Sequence, residues 1–138
     1  MRTVLILSLL FCLSLPTASL ARDISDIINA YGRSTADFED SIKRMTGDTL
    51  EGRGTVIDVR RTGADRTWDV HIATGDEIGV VVVVPVFAFD IPFQWKNEVR
   101  FSGRIKSVAI RFSPVSNPPG AKYFLVILSD GDVHRAVY

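Results

Sequence analysis

Hydrophobic positions follow a helical period near the start of the chain and an extended period after it. Between residues 23 and 46, apolar side chains recur every three or four positions, which predicts helix. Gly32 interrupts this run, and Ser34 with Asp37 three residues later has the spacing of a helix N-cap. The segment is therefore either one kinked helix or two short ones.

From Leu50 onward the alternation of apolar and polar residues indicates strands. Residues 54–61 and 66–73 form a predicted hairpin around a four-residue turn. We expect Val59 to lie opposite Trp68, with Ile57 also facing the core.

A valine-rich strand, residues 78–84, follows the hairpin and is apolar on both faces. Such a strand needs cover on two sides, and the helical segment is a candidate for one of them. The next residues, 87–95, are too rich in aromatics and prolines for a regular central strand. We expect this segment to plug one end of the core; the alternative is an exposed apolar surface that binds a peptide, lipid or protein.

Two further strands complete the predicted set. Residues 98–112 form a long strand in which Gly103 marks a bulge or bend, and residues 113–120 form a loop. Residues 122–129 are the last strand, and Asp130-Gly131 is a turn before a terminal extended segment.

The first 21 residues have the pattern of a secretory signal. A short basic start precedes an apolar run from Val4 to Leu15, and Ser19-Leu20-Ala21 offers small residues at the cleavage positions. Lipidation at Cys12 is disfavoured by the bulky Phe11 before it, and the apolar run is short for a membrane anchor. We therefore expect a periplasmic or secreted protein whose single domain spans residues 22–138.

Removal of the signal changes the composition. Cys12 is the only cysteine, so the mature chain has none for disulfides, thiol catalysis or cysteine-ligated zinc. Valine and isoleucine then number 15 and 11, against three leucines. Because β-branched side chains favour strands, the composition supports a mainly β fold.

The glycine-containing segments 52–59 and 99–105 carry a G-x-V and a V-x-F-x-G-x-I pattern. With the order of the strands, these patterns resemble the small secreted bacterial OB-fold proteins similar to the tRNA-anticodon-binding-like OB family. The resemblance implies a five-stranded OB-like barrel over residues 50–138, preceded by a helical lead-in over residues 22–47. The chain departs from the family at residues 87–95, where many OB barrels have a clear helix.

The charges of the chain are balanced overall but uneven along it, with 16 basic and 16 acidic residues. Five cations and one acid lie in residues 96–111, and further arginines lie in the first hairpin. A basic surface with aromatic neighbours suits an anionic oligomer, although the near-zero net charge and export disfavour nucleic acid. The ligand-binding residues predicted from this pattern are Arg60, Trp68, His71, Arg104 and Lys106.

We therefore predict a non-enzymatic binding module for an oligosaccharide, peptide or nucleic acid; we expect a monomer, with a dimer as the alternative. The alternative is a structural subunit that docks on an envelope protein through the valine-rich strand. A third hypothesis is a calcium-dependent nuclease that uses Asp58, Asp69 and Arg60, although residues 80–89 lack the acidic cluster of such enzymes. No cofactor is expected, and the two histidines, His71 and His134, are too far apart in sequence to predict a metal site.

Overall fold

The computed structural model describes residues 21–62, 66–75, 79–88, 93–113 and 121–136. Of the predicted signal, only Ala21 is among these residues. Phe89, the centre of the first hairpin turn and the predicted loop after residue 113 also lie outside them. The described chain is mainly β, with two short helices. Its elements are β1 (Arg22–Asp23), α1 (Ile24–Tyr31), α2 (Thr35–Arg44), β2 (Thr49–Thr62), β3 (Thr67–Ala73), β4 (Val80–Phe87), β5 (Glu98–Ser113) and β6 (Ala121–Arg135).

The helical segment consists of two helices, separated where the sequence predicts a break. Asp23 caps α1 by accepting a hydrogen bond from the Ser25 backbone N–H. The Ser34 hydroxyl accepts from the Asp37 N–H at 3.4 Å and caps α2. The lead-in is not helical at its start, because β1 pairs in parallel with β2 there.

Five strands form a ring of hydrogen-bonded neighbours, and β1 adds a sixth strand to the sheet. The order is β1-β2-β3-β4-β6-β5, and a further pairing of β5 with β2 closes the ring. The pairings within the ring are antiparallel except that of β4 with β6, which is parallel. The mainly β prediction is thus confirmed.

The core fills the inside of this ring and continues into the helices. Alternate residues of the valine strand, Val80, Val82 and Val84, point into it and are fully buried. Phe38 of α2 packs on Phe124 of β6 with ring centroids 4.6 Å apart. The helices therefore add their apolar stripe to the core inside the ring. They do not cover the outer face of β4, for which the sequence made them a candidate.

The predicted hairpin register is wrong, because the last pair before the turn is Thr62 with Thr67, and β2 also contains a bulge. Val59 lies opposite Val70, and Trp68 lies opposite Arg61, two positions from the predicted pairing. The register shifts between Val56 and Asp58, so that Val56 is buried and Ile57 is 42% exposed. The extra residue reverses the alternation at this point, which a regular period of two cannot reveal.

The long strand β5 contains two irregularities. The first is at Gly103, as predicted; here β6 contributes Asp130 and Gly131, which lie within the continuous strand and do not form the predicted turn. The second lies between Ile105 and Ser107. Beyond it the residues that pack on the core are Val108 and Ile110, so the alternation that places Ile105 in the core is reversed in the second half of β5.

The predicted aromatic plug is only partly present. Phe93 is buried in the core, but Phe87 is 73% exposed and Trp95 is 66% exposed. The described residues of this segment therefore supply one large core side chain, Phe93, and leave the rings of Phe87 and Trp95 in contact with solvent.

Neither described helix is long and apolar enough to cross a membrane.

Candidate functional site

An open cleft of about 600 Å³ lies across the outer face of the ring. This volume is within the range of small-molecule sites in proteins. All five strands of the ring contribute to it. Its described lining consists of Ile57, Asp58 and Arg60 of β2, His71 of β3, Val81 of β4, Arg111 of β5, and Tyr123 and Leu125 of β6.

The floor of the cleft is apolar and comes from the parallel pair of strands. Val81 lies opposite Leu125 in the ladder between β4 and β6. Tyr123 is two residues before Leu125 on the same strand, and therefore presents its ring on the same face. The floor thus offers aliphatic and aromatic surface to a ligand.

Two bulges place the polar side chains around this floor. The bulge at Ile57 turns both Ile57 and Asp58 toward the outer face, next to Arg60. The irregularity after Ile105 does the same for Arg111, which would face the core if the alternation of β5 continued unbroken. Bulges commonly re-aim side chains next to binding sites.

The Arg60 and Asp58 side chains form an ion pair within the cleft. Arg60 Nε donates to Asp58 Oδ2 at 2.6 Å. This hydrogen bond, strengthened by the positive charge, holds the pKa of Asp58 below its usual value. Asp58 is therefore a carboxylate at neutral pH, and it neutralises Arg60.

His71 lies between charges of both signs. It is opposite Asp58 in the ladder of β2 and β3, and the Asp69 and Arg60 charges also act on it. Burial, followed by the repulsion of Arg60, lowers the pKa of His71 despite the two carboxylates. The imidazole is neutral at pH 7 and has one nitrogen to donate and one to accept.

Arg111 differs from Arg60 in forming no ion pair with a described carboxylate. None of the ion pairs found between described residues includes Arg111. At pH 7 the lining of the cleft therefore carries two arginines, one carboxylate and a neutral histidine. The excess positive charge is located at Arg111.

The structure brings together two of the five predicted ligand-binding residues, Arg60 and His71. Trp68 lies on the core-facing side of β3, and its indole N–H donates to the Ala88 carbonyl at 3.1 Å. Arg104 and Lys106 are exposed on β5 but do not line the cleft.

Sequence reasoning did not select Arg111 and Tyr123 as site residues, although Arg111 belongs to the basic run of residues 96–111. The spacing from Ile105 to Val108 breaks the alternation of β5, and this break was the available signal for the new orientation of Arg111. Tyr123 carried no comparable local signal, because its position depends on the long-range pairing of β6 with β4.

The residues of the nuclease hypothesis also share this face. Arg60 lies opposite Asp69, and Asp58 is two residues from Arg60 on the same strand. However, the described part of the chain contains no group of three or more His, Cys, Asp or Glu side chains that could hold a metal ion. The acids are arranged around an arginine and not around a cation site.

Comparison with known proteins adds no relative to this picture. No protein-family model matches the chain, and no curated protein matches it.

Proposed function

We propose that this protein is an exported OB-type binding module whose cleft takes an anionic ligand, and that it is not an enzyme. The strand order supports an OB-type architecture. Strands β2, β3 and β4 follow one another, and β5 returns to lie beside β2, which is a Greek key. A fifth strand, β6, then closes the ring, as in a five-stranded Greek-key barrel.

The observation that carries the proposal is the location of Arg111 at the apolar floor of the cleft, where it takes part in none of the ion pairs found between described residues. A ligand with a negative group can pair with Arg111 while an attached ring or chain covers Val81 and Leu125. An aromatic or sugar ring also suits the face of Tyr123. His71 supplies a neutral hydrogen-bonding group within the same cleft.

The chemistry of the lining supports binding without reaction. Among the described residues of the cleft there is no serine, threonine, cysteine or lysine to act as a nucleophile. Asp58, the carboxylate there, has Arg60 as its partner. An acidic oligosaccharide or peptide fits this site better than nucleic acid, since the net charge of the whole chain is zero.

Two experiments test this function. Native mass spectrometry of the protein isolated from its own envelope should detect a retained anionic ligand. Binding of that ligand should weaken with added salt and should be lost in Arg111→Gln, whereas Arg104→Gln, an equal charge change on β5 outside the cleft, should bind normally. Equal binding by wild type and Arg111→Gln would exclude the cleft as the site.

A second candidate function is docking on an envelope protein. The exposed rings of Phe87 and Trp95 support it, because large aromatic side chains are enriched at protein interfaces. The outer face of the valine strand does not support it equally, because Val81 is part of the cleft. Size-exclusion chromatography with light scattering of the envelope extract distinguishes the two functions: a stable complex disrupted by Phe87→Ser and Trp95→Ser supports docking, and a free monomer supports the binding module.

A further inference from the structure

We propose that Asp58 is a built-in competitor for the ligand, which occupies Arg60 in the free protein and makes the cleft prefer groups with a single negative charge. This inference deepens the proposed function and rests on it. It concerns the selectivity of the site and names the residue that sets it.

The two arginines of the cleft differ in their ion-pair partners. Arg60 already donates to the Asp58 carboxylate at 2.6 Å, whereas Arg111 forms none of the ion pairs found in the described part of the chain. An incoming anion therefore meets one cation that is free and one that is occupied. To use Arg60 as well, it must displace Asp58.

The ion pair between Arg60 and Asp58 is weak. The side chains of Arg60 and Asp58 are 70% and 40% exposed, so water screens their attraction. Such a pair is weak enough for a ligand to break, but its loss still reduces the affinity gained from Arg60. Asp58 thus lowers affinity without blocking the site.

The groups that face one another across the cleft differ in charge. Asp58 and Arg60 come from β2 and largely cancel, and Arg111 comes from β5. His71 of β3 is neutral at pH 7, and Tyr123 of β6 brings no charge. Asp69, opposite Arg60 in the ladder, adds a further negative charge beside the pair.

These charges define the chemical group that the cleft prefers in a ligand. In the described lining, one cation that forms no ion pair lies above an apolar floor, and this arrangement matches a single negative charge on a ring or hydrocarbon, as in a carboxylate. A phosphate monoester carries nearly two charges above pH 7, and its second charge faces Asp58 and Asp69 without a free partner.

Benzoate and phenyl phosphate are suitable probes, because they share a ring and differ in charge. Each is titrated at pH 7.5 and low salt, and the imidazole signals of His71 are followed by NMR and assigned with His71→Gln. Wild type should bind benzoate at least as tightly as phenyl phosphate. Asp58→Asn should bind phenyl phosphate roughly three- to tenfold more tightly and gain less for benzoate.

Two controls separate this mechanism from a general change in charge. Asp48→Asn removes an acid that pairs with Arg22 at 3.1 Å outside the cleft, and should bind both probes as wild type does. In the double variant Asp58→Asn with Arg60→Gln, the gain should disappear, since it depends on a freed Arg60. Retention of the gain in the double variant would overturn the competitor mechanism.

The outcomes distinguish the two proposals. If Arg111→Gln loses both probes but Asp58→Asn changes neither affinity, the cleft binds anions and Asp58 does not compete. If neither wild type nor Asp58→Asn binds either probe, the proposed function fails and this inference fails with it. Urea midpoints of all variants establish that each remains folded at the titration temperature.

Discussion

Gly131 of β6 lies so close to Val84 of β4 that a β-carbon at position 131 would overlap Val84 Cγ1. Val84 is fully buried and cannot move aside freely. We predict that Gly131→Ala lowers the free energy of unfolding by about 1–3 kcal/mol, the usual cost of overpacking a core. Urea denaturation of the variant measures this loss.

The same contact predicts a coupling between the two positions. Val84→Ala removes the methyl groups that a side chain at position 131 would meet. The double variant should therefore lose less stability than the sum of the two single variants. Additive losses would indicate that the strain lies elsewhere in β6.

The contact of Phe38 with Phe124 should be among the main links between the helices and the ring. Phe38 has no solvent-exposed surface, and its ring lies 4.6 Å from that of Phe124. Phe38→Ala should cost about 3–5 kcal/mol of unfolding free energy. The matched control is Phe87→Ala, which removes the same side chain from an exposed position and should change stability by less than about 0.5 kcal/mol.

The elements of this fold could be predicted from local sequence where their causes are local. The break at Gly32 and the cap at Ser34 depend on residues within one helical turn, and both are present. The bend at Gly103 is also local, since a glycine within a strand pattern indicates a bulge. These features needed no knowledge of partner strands.

The candidate site depends on features that act over longer distances. Val59 pairs with Val70 and not with Trp68 because the last pair before the turn is Thr62 with Thr67, which shifts the predicted register by two residues. The bulge at Ile57 then reverses the alternation beyond it, and isoleucine is a normal strand residue that does not indicate a bulge. Arg60 and His71 were predicted because charge and aromaticity near the hairpin are visible in the sequence. Arg111 and Tyr123, which lie opposite each other in β5 and β6, join them only through the long-range pairing of β6 with β4.

The environment of His71 predicts a loss of stability in acid. Burial lowers the pKa of His71 in the folded protein, so the unfolded chain binds more protons as the pH falls below the ordinary histidine pKa of about 6.5. The contribution of His71 to stability therefore falls between pH 7 and pH 5. His71→Gln should show a smaller fall in urea midpoint across this window.

His134→Gln is the control for this measurement, because His134 is an exposed histidine outside the cleft. The lowered pKa of Asp58 acts in the same direction but at lower pH. Its contribution to stability is fully present above the ordinary aspartate pKa of about 3.9 and is lost below it, so this contribution stays constant between pH 5 and pH 7 and does not add to the change measured there. An equal acid response in wild type and His71→Gln would contradict the assignment to His71.

The two tryptophans should differ in fluorescence. Trp68→Phe leaves Trp95, which is 66% exposed, and its emission should resemble that of tryptophan in water. Lys96 Nζ lies 4.4 Å from the Trp95 ring and should attract iodide, so iodide should quench this variant strongly. Trp95→Phe leaves the half-buried Trp68, bonded to Ala88, and should emit at shorter wavelength with weaker quenching; the reverse order would indicate that Trp95 is the buried plug.

The floor of the cleft has a consequence for how the protein folds. Val81 and Leu125 belong to the parallel ladder, whose strands are separated in the chain by the whole of β5. Such non-local pairing is slow to form, because the loop entropy must be lost before the contacts are made. We expect the nearby strands β2, β3 and β4 to assemble early and the ladder of β4 with β6 to close late. A ligand bound to Val81 and Leu125 would then hold together the last pair of strands to form, and its clearest effect would be to slow unfolding.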